Sequence, residues 1–182
     1  ALAGRLGMEH LKGKLEDYAF PYAYPDAYQK TTAIMDEIVP ESTQAIEVAH
    51  QKIQETLNDF DIANATVSSR IKHKYSTYRK LLKYKWNTEL VYDIVALRVL
   101  VPTVADCYQV LGLVHMIWKP IPKRIKDFIA LPKPNGYQSL HTSVITEHGV
   151  VEIQIRTYEM HSRAEFGIAA HWKYKDGSQS GA

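Results

Sequence analysis

The sequence predicts an α+β fold, in which a mixed β-sheet of about five strands is flanked by helices and preceded by a helical segment. The first 60 residues carry apolar side chains at helical spacing, strand-like runs then alternate with helical runs, and two late strand-like runs are joined as a hairpin. With 182 residues, 46% of them hydrophobic, the chain is long enough to bury a core and is expected to form one domain with an appendage.

Proline residues divide the first part of the chain into three predicted helices. These helices are expected at residues 8–20, 26–39 and 40–60, with Pro21 and Pro25 ending the first and Pro40 ending the second. The third helix carries one apolar face, made by Ile46, Ala49, Ile53, Leu57 and Phe60. Packing in a core explains these apolar faces, and no catalytic or binding role is needed to account for them.

The remainder alternates between strands and helices. Strands are predicted at residues 62–69, 94–101, 138–146 and 150–156, and helices at residues 72–84, 103–118 and 158 to about 175. Thr103 and Asp106 have the spacing of a capping box, and Thr157 is the expected N-cap of the last helix. A flexible tail is expected after Gly177.

Composition excludes several classes of protein. The sequence has no apolar run of transmembrane length and no signal-peptide pattern, and a single cysteine, Cys107, excludes an intrachain disulfide framework and fits a reducing cytoplasm. Residues 1–69 carry 5 basic and 11 acidic side chains, whereas residues 70–182 carry 17 basic and 9 acidic ones. A polyanionic ligand is therefore expected in the second part of the chain.

A basic stretch follows the first predicted strand. Lys72, Ser76 and Lys80 are four residues apart and would stack along one helix face, with Arg70 just before them. A strand-to-helix junction offers free N–H groups and the positive end of the helix dipole, which suits phosphate. Three donors in line could follow a triphosphate; the alternative is a solvated basic face.

Two carboxylates occur in apolar strands. Asp93 begins one strand and Glu152 lies inside another, where a charge is costly unless it is paired or binds a metal ion. On adjacent strands the two would suit Mg²⁺, which uses one or two carboxylates together with substrate phosphates. Alternatively, each carboxylate lies at an exposed end of the sheet.

The hairpin predicts which side chains share the face of Glu152. Strand alternation places Gln154 and Arg156 on that face. If His148-Gly149 is a two-residue turn, His141 lies opposite Arg156 and also points to the face of Glu152.

A turning loop precedes the hairpin. Pro132, Pro134 and Asn135-Gly136 predict a sharp turn over residues 131–136, and Tyr137 follows it immediately. A flat ligand could stack on the Tyr137 ring, while Lys133 and His141 offer donors for anions. The segment of residues 123–127 adds Arg124 and Lys126. Because neither a P-loop nor a Gly-x-Gly-x-x-Gly motif occurs, phosphate binding would depend on side chains and strand ends.

Several long motifs, in order, strongly resemble the synthetase domain of the RelA/SpoT (Rel) alarmone enzymes. The motifs are Ser69-Arg-Ile-Lys-His-Lys-Tyr-Ser76, Tyr92-Asp-Ile-Val-Ala-Leu-Arg-Val99, Lys119-Pro-Ile-Pro-Lys-Arg-Ile-Lys-Asp-Phe-Ile-Ala130, Pro132-Lys-Pro-Asn-Gly-Tyr-Gln-Ser-Leu-His-Thr142, Val151-Glu-Ile-Gln-Ile-Arg-Thr157 and Ala164-Glu-Phe-Gly-Ile-Ala-Ala-His-Trp-Lys-Tyr174. The resemblance covers about residues 60–177. Residues 2–7 and 15–20 are similar to the helical segment that follows the hydrolase domain in long Rel proteins.

This resemblance implies a nucleotidyltransferase-like fold and the transfer of pyrophosphate from ATP to the ribose 3′-hydroxyl of GDP or GTP, giving (p)ppGpp and AMP. It implies Mg²⁺ held by Asp93 and Glu152, with Glu152 a candidate base, and guanine stacked on Tyr137. Arg70 would contact the adenine or phosphates of ATP, and Lys72, Ser76 and Lys80 its phosphate chain. The acceptor nucleotide and the transferred group would be lined by Arg124, Lys126, Lys133, Asn135, His141 and Gln154.

The resemblance also implies a domain organisation. Residues 1–24 would be a linker after a hydrolase domain that this chain lacks, residues 25–176 the synthetase domain and residues 177–182 a tail. The parent protein is expected to associate with ribosomes through C-terminal domains that this chain also lacks. Two positions depart from the family pattern. The family usually has glycine where this chain has Ser69, and it often has glycine where this chain has Lys123. The basic motif Arg124-x-Lys126-Asp127 suggests a bifunctional parent.

Two other functions remain open from the sequence. A catalytically silent guanine-nucleotide-binding regulatory domain would keep Tyr137 and the basic residues but lose a carboxylate, and both carboxylates are present. An RNA-binding module would use the basic stretch 70–85 with its tyrosines and would need no buried acid pair. The enzyme is therefore favoured, without membrane contact and without tight nucleic-acid binding by this domain.

Overall fold

The structure, a computed structural model, describes residue 3, residues 8–91 and residues 93–167, without the side chains of residues 9, 41 and 89. The helices are α1 (Glu9–Ala23), α2 (Pro25–Asp59), α3 (Lys74–Lys83), α4 (Val104–Ile117) and α5 (Tyr158–Phe166). The strands are β1 (Thr66–Ile71), β2 (Val95–Val101), β3 (Lys119–Pro120), β4 (Lys126–Asp127), β5 (Leu140–Thr146) and β6 (Gly149–Thr157). The predicted extension of the last helix to residue 175, the tail and residues 4–7 lie outside the described residues.

The strands form one mixed, six-stranded sheet, which confirms the predicted α+β class. Its order is β1-β2-β6-β5-β3, and the short strand β4 also pairs with β5. The neighbours β2 and β6 are parallel, whereas the other pairs are antiparallel. Because β2 and β6 are adjacent, the two strands that the sequence linked to Asp93 and Glu152 lie side by side.

The prediction that prolines end the first two helices was wrong for Pro21 and Pro40, whereas α1 does end at Ala23, just before Pro25. Pro21 lies inside α1, and Pro40 lies inside the 35-residue helix α2. A proline removes one backbone donor, which is tolerable where burial of an apolar face on both sides holds the helix together. In α2 that face includes Met35 before Pro40 and Ile46 after it, both about 5% exposed, and Thr43 Oγ1 donates to the Val39 carbonyl at 2.8 Å.

Two predicted boundaries were also displaced. The strand predicted from residue 62 begins at Thr66, because Asp61 and Asn64 adopt positive φ angles of 54° and 56° that interrupt an extended chain. The helix predicted from residue 72 begins at Lys74. At its start, the Tyr75 N–H donates to Asp17 of α1 at 2.9 Å, so a distant carboxylate caps this helix.

The core lies between the sheet and the helices α2 and α4. Its fully buried side chains include Ile53 and Leu57 from α2, Leu97 from β2, and Ile153 and Ile155 from β6. The predicted apolar stripe of α2 is confirmed except for Phe60, which is 47% exposed. Both reciprocal hydrogen bonds of the predicted capping box, between Thr103 and Asp106, are present at the start of α4.

The hairpin has a different register from the predicted one but the same faces. Thr146 pairs with Gly149, so the turn is formed by residues 147 and 148, and His141 lies opposite Gln154 rather than Arg156. The prediction was displaced by a whole two-residue repeat, which leaves each side chain on its predicted face. His141 therefore shares the face of Glu152. Because His141 lies opposite Gln154 rather than Arg156, it is two residues closer to Glu152 along β6 than expected.

Among the described residues, no helix combines the length and the apolar character that crossing a lipid bilayer demands. The longest helix, α2, is amphipathic and carries charged residues along its exposed side.

Candidate functional site

One cavity of about 760 Å³ opens on the polar face of the sheet. All thirteen residues that the sequence singled out line it: Arg70, Lys72, Ser76, Lys80, Asp93, Arg124, Lys126, Lys133, Asn135, Tyr137, His141, Glu152 and Gln154. They come from β1, α3, β4, β5, β6 and the loops between these elements. The fold thus brings residues up to 84 positions apart in the sequence into a single site.

Asp93 is the centre of one charged cluster. Its carboxylate lies just before β2 and accepts from Lys72 Nζ at 2.7 Å, while Lys80 Nζ lies 2.5 Å from its other oxygen. Burial alone would raise the pKa of Asp93, but the two lysines outweigh burial and lower it. Asp93 is therefore ionised at neutral pH and held between two cations.

The structure corrects one part of the predicted lysine arrangement. Lys72 precedes α3, and its N–H donates to the Ile94 carbonyl at 2.8 Å, so it is not part of a helical stripe with Ser76 and Lys80. The two lysine side chains still converge, because both reach Asp93. Ser76 lies in the first turn of α3 and also lines the cavity.

Glu152 is the centre of a second cluster. Its side chain is 15% exposed, and its Oε1 lies 3.4 Å from His141 Nδ1 and accepts from Gln154 Nε2 at 3.1 Å. Burial and the nearby charge of Asp93 raise the pKa of Glu152, but contacts with His141 and Gln154 outweigh them and lower it. That electrostatic influence means that the two carboxylates lie close enough to repel each other.

His141 connects Glu152 to Tyr137. Its Nε2 lies 2.8 Å from the Tyr137 hydroxyl, and its Nδ1 faces Glu152. Burial lowers the pKa of His141 despite the attraction of Glu152, which favours the neutral ring at pH 7. A neutral ring with its proton on Nδ1 donates towards Glu152 and accepts from the tyrosine hydroxyl, which satisfies all three groups.

The predicted turn before Tyr137 is present. Gly136 has a φ of +77°, its N–H donates to the Lys133 carbonyl at 2.8 Å, and Asn135 Oδ1 accepts from the Tyr137 N–H at 3.2 Å. Lys133 Nζ lies 4.9 Å and Arg156 Cζ 5.5 Å from the centre of the Tyr137 ring. A planar ligand that stacks on this ring would therefore enter strongly positive surroundings.

The sequence reasoning named Arg70 and Arg156 but missed Arg98, which forms an arginine cluster with them at this cavity. Arg98 on β2 and Arg156 on β6 line the cavity with Arg70, and burial and mutual repulsion lower the pKa of Arg98 to about 10 and lower that of Arg156. Glu165 of α5 partly compensates them, with its Oε1 3.8 Å from Arg98. The signal was available: like Asp93, Arg98 is a charge within an apolar strand.

Helix α1 forms one wall of the same cavity. His10 Nδ1 lies 3.1 Å from Glu165, and His73 Nδ1 lies 2.8 Å from Asp17. Gly13 packs so closely on the His73 ring that a Cβ atom there would lie 2.4 Å from it. The segment that the sequence treated as a linker thus contributes to the site, and the division at residue 24 stays a prediction.

The two departures from the family pattern differ in their backbone geometry. Lys123 has a φ of 63°, in the left-handed region that favours glycine, so the usual glycine would fit this position with less strain. Ser69 lies within β1 opposite Leu97, in extended backbone that any residue adopts.

Asp93 and Glu152 are the residues best suited to hold a metal ion. No group of three or more histidine, cysteine, aspartate or glutamate side chains suited to a metal ion occurs among the residues that the structure describes. Two carboxylates alone suit a cation such as Mg²⁺, which completes its coordination with water and phosphate oxygens.

Comparison with known proteins finds a matching family and relatives with related names. The RelA_SpoT family, described as a region found in RelA / SpoT proteins, matches residues 69–179. A GTP pyrophosphokinase of Streptomyces coelicolor is 49% identical over 182 residues, which is 100% of this chain and 21% of that protein. A guanosine-3′,5′-bis(diphosphate) 3′-pyrophosphohydrolase of Aquifex aeolicus is 46% identical, over 97% of this chain and 25% of that protein. The chain thus spans about a fifth to a quarter of the length of these relatives.

Solved structures of alarmone synthetases have a fold similar to that of this chain. The small alarmone synthetase 2 of Bacillus subtilis matches with a TM-score of 0.59 and 27% identity over 79% of this chain and 82% of that chain. The small alarmone synthetase 1 of the same organism, bound to its product pppGpp, matches with a TM-score of 0.59 and 26% identity over 80% and 83% of the two chains. Since the family match spans more than half of the sequence and the fold agrees, this chain belongs to the RelA/SpoT family.

Proposed function

We propose that this chain transfers pyrophosphate from ATP to the ribose 3′-hydroxyl of GDP or GTP, giving AMP and ppGpp or pppGpp. The observation that carries this proposal is the single cavity that combines two ionised carboxylates with cations from several elements. Relatives named GTP pyrophosphokinase, and a related synthetase with bound pppGpp, support the same reaction.

In the proposed reaction, the 3′-oxygen of the acceptor forms a bond to the β-phosphorus of ATP as the bond from that phosphorus to the oxygen retained by AMP breaks. The hydroxyl proton passes to the carboxylate of Glu152, which is ionised because contacts with His141 and Gln154 outweigh burial and the nearby charge of Asp93. Phosphoryl transfer needs mainly positioning and stabilisation of charge on oxygen, which suits a site with several fixed cations.

The binding roles divide between two sides of the cavity. We assign ATP to the side of Arg70, Lys72, Ser76 and Lys80. The acceptor nucleotide is assigned to the side of Tyr137, with guanine stacked on its ring. The residues assigned to the acceptor and the transferred group are Arg124, Lys126, Lys133, Asn135, His141 and Gln154. Lys133 and Arg156, which lie near the Tyr137 ring, favour a ligand with phosphates.

We further propose that Asp93 and Glu152 hold Mg²⁺. When bound, this ion would neutralise charge on phosphate oxygens. Both oxygens of Asp93 contact lysines, so the ion competes with Lys72 and Lys80 for this carboxylate and its binding favours release of one of them. A released lysine is then available to a phosphate of ATP, which couples occupation of the metal site to binding of the donor nucleotide.

Neither alternative function is favoured by the arrangement. A silent regulatory domain would not need two mutually repelling carboxylates in its ligand cavity. An RNA-binding module would need accessible aromatic rings in the basic stretch. Tyr75 and Tyr78 instead pack on Phe20 of α1, with ring centres 5.3 and 5.0 Å away, and Phe20 is buried.

The test is to incubate the purified chain with ATP, Mg²⁺ and either GDP or GTP and to separate the nucleotides by anion-exchange chromatography. Formation of AMP together with ppGpp or pppGpp in equal amounts, and its loss on chelation of Mg²⁺, is the expected result. Saturable binding of GDP without any product would instead favour the silent regulatory domain.

A further inference from the structure

Asp127 differs in its surroundings from the basic residues of the same motif. Lys126 and Asp127 form β4, where successive side chains point to opposite sides. Lys126 lies opposite His141 and lines the cavity, whereas Asp127 lies opposite Leu140, which is buried. The carboxylate of Asp127 does not line the cavity. A role in the site must therefore be indirect.

Three hydrogen bonds converge on the Asp127 carboxylate. Its Oδ1 accepts from the N–H groups of Ile129 at 2.9 Å and Ala130 at 2.8 Å, and its Oδ2 accepts from the Tyr108 hydroxyl at 2.9 Å. Tyr108 belongs to α4, which is anchored by its capping box and packs on the core. We call this arrangement the Tyr108–Asp127 clasp, because it fastens the loop after β4 to a rigid helix.

The fastened loop carries three of the residues assigned to the acceptor side, Lys133, Asn135 and Tyr137. Beyond the clasp, Phe128 N–H donates to the Ser139 carbonyl at 3.0 Å, and the Phe128 ring contacts the rings of both Tyr137 and His141 edge to face. Lys133 Nζ lies 4.7 Å from the centre of the Phe128 ring. Phe128 is next in sequence to Asp127, and its ring contacts both Tyr137 and Lys133. A shift of Phe128 would therefore move these two side chains.

Other hydrogen bonds connect this loop to β4 and to β5 with the segment that enters it. Gln138 Nε2 donates to the Ile129 carbonyl at 3.2 Å, the Leu131 N–H donates to the Asp127 carbonyl at 3.3 Å, and the Tyr137 hydroxyl lies 2.8 Å from His141 Nε2 on β5. Residues 130–136 are exposed. Through Tyr108, the clasp adds a connection from this loop to helix α4.

We propose that Tyr108 and Asp127 are positioning residues for the acceptor nucleotide: through this clasp they hold the loop of residues 128–137, and with it Tyr137 and Lys133, in the geometry that receives a guanosine phosphate. This inference rests on the proposed function. The hydrogen bonds at Asp127 outweigh its partial burial and lower its pKa, whereas the bond to Asp127 raises the pKa of Tyr108. At neutral pH the Tyr108 hydroxyl thus donates to an ionised carboxylate, and such a hydrogen bond is stronger than one between two neutral groups.

The test compares Y108F, D127A and D127N with the unchanged chain. Y108F removes one hydroxyl, and D127A removes all three hydrogen bonds. D127N retains an oxygen for Ile129 and Ala130 and an amide that can donate to the Tyr108 oxygen. Y158F is the matched control, because the Tyr158 hydroxyl is also exposed and hydrogen-bonded, to Asn64 and Thr66 at the start of β1.

Two measurements separate positioning from general stability. The first is the KM for GDP at saturating ATP and the KM for ATP at saturating GDP. One hydrogen bond of ordinary strength corresponds to about two- to tenfold in an equilibrium constant. We therefore expect Y108F to raise the KM for GDP several-fold and D127A to raise it about tenfold or more, with D127N close to the unchanged chain and the KM for ATP unaffected throughout.

The second measurement is backbone hydrogen exchange of residues 128–137, which requires no nucleotide. D127A and Y108F should accelerate exchange there, and Y158F should not. Unchanged exchange in D127A would overturn the proposal, as would an equal rise of both KM values. If the unchanged chain neither binds GDP nor forms product, the proposed function fails, while the exchange rates still decide whether the clasp holds the loop.

Discussion

Replacing Glu152 with glutamine tests the proposed chemistry with little change in shape. Glutamine keeps an oxygen that can accept from Gln154 Nε2, now 3.1 Å from Glu152 Oε1, but it removes the negative charge and the basic oxygen. It also removes the repulsion between this carboxylate and Asp93, which raises the pKa of Glu152. Because contacts with His141 and Gln154 outweigh burial and this repulsion and lower the pKa of Glu152, the ionised carboxylate is favourable on balance, and the free energy of unfolding should fall slightly in E152Q.

The expected loss of activity follows from the proposed role of the carboxylate. Loss of a general base typically reduces a rate by about 10²–10⁴, which is about 3–5 kcal/mol in activation free energy at about 1.4 kcal/mol per tenfold. The measurement is kcat for formation of AMP and ppGpp from ATP and GDP, together with Tm from thermal unfolding. The binding of GDP in the absence of ATP should change little, because Tyr137 and Lys133 are retained.

Glu159 provides the matched control. It lies on α5, its side chain is 73% exposed, and it pairs with Arg163 on the surface. E159Q makes the same chemical change outside the cavity and should leave kcat unchanged. A rate for E152Q that equals the rate of E159Q would refute the assignment of base and metal ligand to Glu152.

Three further predictions concern Asp93 and Tyr137 of the site and the partly buried histidine His161 of α5. D93N should also abolish product formation, and it should lower the free energy of unfolding more than E152Q does, by about 1–3 kcal/mol, because Lys72 and Lys80 lose their counter-charge; a urea midpoint equal to that of the unchanged chain would contradict this. Y137F should keep the KM for GDP within a few-fold and Y137A should raise it about tenfold or more, because the stacking of a base on an aromatic ring contributes about 1–3 kcal/mol; equal KM values for the two variants would exclude stacking. Burial, with repulsion from Arg156 and Arg98, lowers the pKa of His161 from 6.5 to about 4. As the pH decreases, this histidine is therefore protonated in the unfolded chain before it is protonated in the folded chain. The free energy of unfolding should fall between pH 6.5 and pH 4, by up to about 3 kcal/mol. The variant H161N should show a flatter dependence of Tm on pH over this range, and an identical slope would disprove that origin.

Much of the fold was predictable because it depends on local patterns. The run of apolar residues in β2, the capping box of α4 and the turn at Gly136 each involve neighbours in the sequence, and each is found where predicted. The errors occurred where distant contacts override local preference. Pro40 fails to end α2 because burial on both sides holds the helix, and α3 begins at Lys74 because Asp17 caps it from α1.

The candidate site was predictable to a similar degree and for a similar reason. The charged residues that stand out against apolar or turn-forming neighbours, such as Asp93, Glu152 and Tyr137 with its loop, all line the cavity. Arg98 was missed although the same reasoning applies to it. The pairing of Asp93 with Lys72 and Lys80 was not predictable, because it depends on how the segment before β2 meets α3.

The sequence by itself determined the fold class, the faces of the hairpin and the identity of many residues around the cavity, because strand alternation and long ordered motifs are properties of the chain. Only the tertiary structure decided which of these residues are partners. It placed α1 against the cavity through His10 and Glu165, and it separated Asp127 from the cations of its own motif and joined it to Tyr108. Such contacts join residues far apart in sequence and depend on distances of a few ångströms, which no local pattern encodes.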